Sequence, residues 1–97
     1  YIEASGNYIN IAYSHNNKMR KTLIRNTLKE IENAHPNSDL IRCHRSFIVN
    51  FSNVKLMRKT KEGLVLELEA SEPIEIPVSK SYIDKVMQIF SRSAGIS

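Results

Sequence analysis

The sequence predicts a mostly β protein, built from small antiparallel sheets with one short internal helix and one C-terminal helix. Apolar residues recur at every second position through most of the chain, which is the period of a strand with one buried face. Turn-forming residues separate these runs, and only two segments break the period. A chain of 97 residues has room for a single domain with a modest core.

Five runs alternate between apolar and polar residues, at 8–13, 46–51, 54–59, 64–69 and 74–78. The positions expected to face the core are Ile9, Ile11, Tyr13, Phe47, Val49, Phe51, Val54, Leu56, Leu64, Leu66, Leu68, Ile74, Ile76 and Val78. Turn signals lie between the runs at Ser5-Gly6-Asn7, His15-Asn16-Asn17, Lys61-Glu62-Gly63 and Ser71-Glu72-Pro73. Such short loops predict a meander of hairpins, without crossovers through helices.

The two remaining segments have helical features. Thr27-Leu28-Lys29-Glu30 reads as a capping box, in which the threonine oxygen accepts from the backbone N–H three residues on. His35-Pro36 should end this helix, because the residue before proline avoids the helical region. A C-terminal helix should start near Ser81, with an apolar face of Ile83, Val86, Met87 and Phe90. The tail 91–97 has no period and is predicted to fray.

Composition excludes several classes of protein. Hydrophobic content of 41% and charged content of 25% are typical of soluble globular domains. Cys43 has no partner for an internal disulfide, and no signal-like apolar segment begins the sequence, so we expect a reducing cytoplasm. We expect no contact with a membrane core, because no apolar run approaches the roughly 20 residues that span a bilayer.

Charge is unevenly distributed along the chain, although the net charge is only +4. Residues 40–61 contain six Lys or Arg and no acid, whereas 62–75 contain five Glu and no base. A second basic, acid-free segment covers 18–29. This pattern suggests a positive face opposite a negative one, as in a protein that orients on a polyanion. Charge alone is equally compatible with ordinary solvated strand faces.

No arrangement of residues typical of an enzyme or a metal site is present. The three histidines and single cysteine lack zinc-ligand spacing, and the three glycines form no phosphate loop. Cys43 and His44 should point to opposite faces of a strand, which favours a small buried cysteine over a nucleophile. The sequence therefore predicts a protein that is not an enzyme and that needs neither cofactor nor metal.

The segment from Arg42 to Asn50 is the most informative part of the chain. Its polar residues between two apolar runs indicate a bend at the edge of a sheet, from which Arg45 projects. The donors of a guanidinium fit a guanine edge or a phosphate. Ser46 and Asn50 are more simply interpreted as residues that bond to the backbone and hold the turn.

Four segments, in order, resemble the signature blocks of the LytTR DNA-binding domain. They are residues 1–9 (YIEASGNYI), 27–32 (TLKEIE), 42–50 (RCHRSFIVN) followed by Val54, and 76–80 (IPVSK). The resemblance covers residues 1 to about 90, which we take as the domain. Four blocks in register are a specific signal, whereas any one alone would be weak.

The resemblance implies an elongated arrangement of small antiparallel sheets whose edge loops enter successive major grooves of double-stranded DNA. The residues it places against DNA are Asn7, Tyr8, Arg45 and Lys80. Arg42 and His44, which flank Arg45, are included in the expected interface. The family more usually has arginine at the position of Lys80, and lysine lacks the bidentate fork, which disfavours base-specific readout there.

The resemblance also implies a biological setting. Such domains are the output halves of bacterial two-component response regulators, so we expect an upstream receiver domain and a homodimer on repeated half-sites. The family carries a few strands before the Ile-Glu-Ala block, and we expect that these have been trimmed from this chain.

Two other functions fit parts of the sequence. The sheet edges could serve a protein-interaction or dimerisation module by strand addition, with the acidic segment 62–75 as its surface. RNA binding would need a platform of exposed aromatic residues, and it is disfavoured because Tyr13, Phe47 and Phe51 occupy expected core positions.

Overall fold

The computed structural model describes residues 1–94, which form eight strands, two α-helices and two single-turn 3-10 helices. The strands are β1 (Ile2–Ser5), β2 (Tyr8–His15), β3 (Lys18–Arg25), β4 (Leu40–His44), β5 (Phe47–Asn50), β6 (Val54–Thr60), β7 (Gly63–Leu68) and β8 (Ile74–Val78). The helices are α1 (Leu28–Ala34) and α2 (Ile83–Ala94), and the 3-10 turns are Phe51–Asn53 and Lys80–Tyr82. The mostly β fold class with two helices is confirmed.

The strands form two antiparallel sheets. Sheet A has five strands in the order β3-β2-β1-β5-β4, and sheet B has three in the order β6-β7-β8. Sheet B and the first three strands of sheet A are meanders, as predicted. The prediction of no crossover is wrong at one point, because α1 carries the chain from the β3 edge of sheet A to its β4 edge. The strand β5 then returns to pair with β1, so that Ile2 lies opposite Ile48.

The turns follow the local sequence. Asn16 and Asn17 both have positive φ, 53° and 62°, and they connect β2 to β3 as a two-residue hairpin. Asparagine tolerates this left-handed region, which the right-handed twist of a tight hairpin requires. At the start of β7, Gly63 adopts a φ of 132°, a conformation that side-chain-bearing residues rarely take.

Both faces of sheet A are covered, and this creates two cores. One core fills the space between sheet A, sheet B and α2, and its buried members are Ile41, Cys43, Val49, Leu66, Leu68, Ile76, Val78 and Val86. The other lies between sheet A and α1, with Ile2, Ile9, Leu28 and Ile48. Neighbouring residues Ile48 and Val49 are 1% and 0% exposed, so β5 is buried on both faces.

Tyr13 is not in the core as the alternation predicts, since it is 42% exposed. The reason is the length of the hairpin β2–β3, which runs past the beginning of β1. Ile11 still pairs with Ile2, but Tyr13 pairs only with Arg20, in a two-stranded extension beyond β1.

Two further expected core positions are wrong. Leu56 is 37% exposed, because the β6–β7 register shifts between Val54 and Leu56 and turns Met57 inward instead. On α2, Met87 is 46% exposed and Ile89 takes its expected place against the core. The leucines of β7 and the apolar residues of β8 face the core as predicted.

The helix α1 begins where its cap predicts, whereas α2 begins at Ile83, after a 3-10 turn that covers its expected start near Ser81. The Oγ1 of Thr27 accepts from the backbone N–H of Glu30 at 3.1 Å, and α1 ends before His35. The helix α2 continues through 91–94, which were expected to fray, and the rest of that tail, 95–97, lies outside the described residues. No helix within residues 1–94 is long and apolar enough to span a bilayer.

The elongated shape is not observed. The principal extents are 38 × 30 × 29 Å and the radius of gyration is 13.3 Å, which describe a compact globule. The two sheets share one core instead of lying end to end. Their adjacent edges are joined after β8, where the backbone N–H of Ser79 donates to the carbonyl of Cys43 at 3.0 Å.

Candidate nucleic-acid interface

The predicted interface residues converge on one end of sheet A, which we call the rim and define as Ser5–Tyr8, His44–Ser46 and Ser79–Tyr82. The β1–β2 and β4–β5 turns meet there because β1 and β5 are antiparallel neighbours. The backbone N–H of Ala4 donates to the carbonyl of Ser46 at 2.9 Å and ties the two turns together. The contact of Ser79 with Cys43 brings the third segment to the same end of β4.

Arg45 lies at the tip of the β4–β5 turn with its side chain exposed. The turn around it is held from both sides. The backbone N–H of Ser46 donates to Nδ1 of His44 at 3.0 Å, and the His44 ring packs edge-on against Phe47 with centroids 5.6 Å apart. This bond assigns the ring proton to Nε2, which leaves one N–H donor on the far side of the imidazole.

Arg42 does not present its guanidinium to solvent, and its side chain is only 15% exposed. Nε donates to the carbonyl of His44 at 2.9 Å, and Nη2 donates to the carbonyl of Arg45 at 2.7 Å. Nη1 forms an ion pair with Glu32 of α1. This geometry does not favour the expected direct contact of Arg42 with DNA, because Nε, Nη1 and Nη2 each donate within the protein and the side chain is mostly buried.

Lys80 opens the 3-10 turn Lys80–Tyr82 and is exposed. Its neighbours fix the segment: Ser79 is bound to the backbone of β4, and the Tyr82 ring lies 5.8 Å from the guanidinium carbon of Arg42. The hydroxyl of Ser79 is buried and makes no hydrogen bond to any described residue. Lys80 and Arg45 are thus on different loops of one rim.

Asn7 and Tyr8 complete the rim at the β1–β2 turn, where Gly6 has a φ of 60°. Both side chains are exposed, Tyr8 by 44%. Register places Arg25 opposite Tyr8, and Asn7 borders a shallow depression with Arg25. Sequence reasoning counted Arg25 only as part of a basic segment. The hairpin signal at Asn16-Asn17 could have placed Arg25 at the rim, because a two-residue turn there sets the register of β3 against β2 and puts Arg25 opposite Tyr8.

Each basic segment contributes one free outer edge strand, β3 to sheet A and β6 to sheet B. The exposed bases on these strands are Lys18, Arg20, Lys21, Arg25, Lys55, Arg58 and Lys59. Such charges discourage edge-to-edge association. The expected separation into positive and negative faces is incomplete, because the ion pair of Arg58 with Glu75 lies on sheet B and mixes both signs.

Cys43 is buried beneath the β4–β5 turn, as predicted, and is 0% exposed. Its sulfur lies 3.9 Å from the carbonyl oxygen of Phe47 and 3.8 Å from that of Pro77. Burial raises the pKa of the thiol to about 12. The thiol is therefore protonated at neutral pH and inaccessible to a substrate. Among residues 1–94, no group of three or more His, Cys, Asp or Glu is arranged to hold a metal ion.

Comparison with known proteins identifies one family. The family model described as the LytTr DNA-binding domain matches residues 1–91 of the 97-residue chain. Neither the curated proteins nor the solved structures gave a significant match.

Proposed function

Because the chain belongs to the LytTr DNA-binding domain family, we propose that it reads double-stranded DNA sequence-specifically, with the loops of the rim inserted in the major groove. The observation that carries this proposal is the convergence of three exposed segments on one rim, around a turn whose backbone is fixed. A major groove is about 12 Å wide and admits such loops as well as helices.

The rim residues differ in what they can recognise. Arg45 has a free bidentate fork on a fixed backbone, which suits the two acceptors of a guanine edge. Lys80 offers a single ammonium at the start of a 3-10 turn, which suits a phosphate. The exposed amide of Asn7, the ring of Tyr8 and the Nε2–H of His44 supply further polar contacts around these two.

The domain acts by binding and carries out no catalysis, which is consistent with its membership of a DNA-binding family. The resemblance to response-regulator output domains supports a bacterial transcription regulator in a two-component system, with a receiver domain upstream and a homodimer on repeated half-sites. A single buried, unpaired cysteine is consistent with action in the reducing cytoplasm.

RNA binding would use exposed aromatic residues, and Tyr13 is exposed and not in the core. Tyr8 and Tyr13 are an odd number of residues apart on β2, so their rings lie on opposite faces of sheet A. They cannot form one stacking platform, and duplex DNA remains the favoured ligand.

Selection of bound duplexes from a random pool, followed by affinity measurements, tests the proposal. Arg45→Ala should cost about 1–3 kcal/mol on the selected site and relax preference at one base pair. Lys80→Ala should weaken selected and random duplexes about equally and lower the salt slope by roughly one unit.

Arg92→Ala is the matched control, because it removes the same charge from α2, which borders the opposite end of β4. It should leave discrimination unchanged. A folded double mutant of Arg45 and Lys80 that still discriminates as the parent does would contradict the proposal. Tighter binding to a homopolymeric single strand than to any duplex would favour RNA instead.

A further inference from the structure

The side chain of Arg42 contacts the β4–β5 turn itself and two of the segments around it, α1 and the 3-10 turn Lys80–Tyr82. It binds the carbonyls of His44 and Arg45, pairs with Glu32 of α1, and lies against the ring of Tyr82. Glu32 anchors it to the helix on one side. On the opposite side of Arg42, Tyr82 belongs to the 3-10 turn that begins with Lys80.

Two of these bonds control the peptide groups on either side of Arg45. A carbonyl that accepts from a fixed guanidinium cannot rotate without breaking a charge-assisted hydrogen bond, which is among the stronger kinds in proteins. Because the carbonyls of consecutive residues are held by one planar group, the direction in which the Arg45 side chain leaves the backbone is also restricted.

We propose that Arg42 is a positioning residue, which locks the turn carrying Arg45 and couples it to the turn carrying Lys80. This inference rests on the proposed function for its effect on DNA, but the locking itself is a property of the free protein. Arg42 acts through Arg45 and Lys80 and does not touch the nucleic acid.

The substitution Arg42→Lys tests this directly, because it keeps the positive charge and loses the planar fork. Amide hydrogen exchange in the absence of DNA is the first measurement. The amides of Ala4 and Ser46 report on the turn, since they donate to the Ser46 carbonyl and to His44. Both should exchange faster by about tenfold or more, while the amides of β7 in sheet B keep their rates.

The second measurement is DNA affinity against salt. Arg42→Lys should reduce the ratio of selected to random affinity by about tenfold and leave the salt slope on random duplex unchanged. Weaker binding to selected and random duplexes alike, with parental amide exchange, would instead make Arg42 a direct contact to the DNA backbone. Parental exchange together with parental discrimination would also overturn the proposal.

Glu32→Gln provides a second variant if Arg42→Lys does not fold. It leaves Arg42 in place and removes only the ion pair with α1, so exchange at Ser46 should accelerate, though less than in Arg42→Lys. Unchanged exchange at Ala4 and Ser46 in this variant would contradict the coupling to α1. If the parent protein itself fails to discriminate among duplexes, the proposed function is wrong, whereas the exchange rates still decide whether Arg42 locks the turn.

Discussion

The β4–β5 turn and the edge strand β3 both present arginines to solvent, but the protein holds them differently. The turn is fixed by Arg42 and His44 and lies over a strand that is buried on both faces. The strand β3 pairs with β2 alone, and all but one of its eight side chains are exposed. A fixed side chain can select a base, whereas charges on an exposed edge attract phosphate of any sequence. Under the proposed function, specificity and general affinity for DNA would have separate locations in this fold.

The largest expected difference between the two regions is in stability. Ile48→Ala opens a cavity in β5 and should lower the free energy of unfolding by about 2–5 kcal/mol. Leu23→Ala on β3 is the matched control, because Leu23 is 56% exposed, and it should change stability by about 0.5 kcal/mol or less. Urea denaturation of both variants measures the two values, and equal losses would remove the distinction between the regions.

The next effect concerns the thiol beneath the fixed turn. Cys43 ionises near pH 9 in the unfolded chain and at about 12 in the folded one, so its folded pKa is raised. The unfolded state therefore loses its proton first, and the free energy of unfolding should fall between these values, by up to about 1.4 kcal/mol per pH unit. Below pH 9 this contribution is fully present.

Cys43→Ala removes that contribution, together with the smaller electrostatic coupling between the thiol and the amino terminus of Tyr1. The difference in unfolding free energy between parent and variant, measured by urea denaturation from pH 7 to 11, should shrink as pH rises. A difference independent of pH would mean that the thiol ionises equally easily in the folded protein.

A smaller effect should separate the two regions in DNA binding. Lys18→Gln combined with Lys21→Gln removes two exposed charges from β3. If both charges neutralise phosphates, the log–log slope of affinity against salt should fall by about 1.8 units, with discrimination between selected and random duplexes retained. Lys85→Gln combined with Arg92→Gln on α2 removes the same number of exposed charges and is the control for net charge. Loss of discrimination in the β3 variant would show that the edge also reads sequence.

The smallest effect is expected in the hairpin that supports β3. Asn17 has a φ of 62°, a conformation in which glycine carries no steric cost. Asn17→Gly should raise stability by a few tenths of a kcal/mol up to about 1 kcal/mol, whereas Asn17→Val should lower it. Thermal denaturation distinguishes them, and a stabilising valine would contradict the assigned turn geometry.

Sequence patterns predict those parts of the fold in which local preference and burial agree. The leucines of β7 and the capping box at Thr27 are examples, because one residue pattern decides each. The predicted burial of Tyr13 and Leu56 was wrong. The exposure of Tyr13 depends on the length of a neighbouring strand, and that of Leu56 depends on a shift of register. The sequence of the edge strand β3 indicates only a basic segment, because a strand that is exposed on both faces need not alternate.

The same limit applies to the rim. Residue types and resemblance predict exposed side chains at Arg45 and Lys80, and the structure brings their loops to the same end of β4. The internal role of Arg42 could not be predicted, because it depends on a carboxylate ten residues away and on carbonyls that only a particular turn directs at it. From the sequence alone, an arginine close to a predicted DNA contact is interpreted as a second DNA contact. Only the fold shows which acceptors its N–H groups bind.

The pairing of β1 with β5 also has a consequence for the order of folding. The hairpins of β1–β3 and β6–β8 join residues close in sequence and should form within microseconds. Pairing Ile2 with Ile48 closes a much longer loop, whose entropy cost delays it. Only this late step brings the β1–β2 turn beside the β4–β5 turn, so we expect the rim to be completed among the last features of the native state.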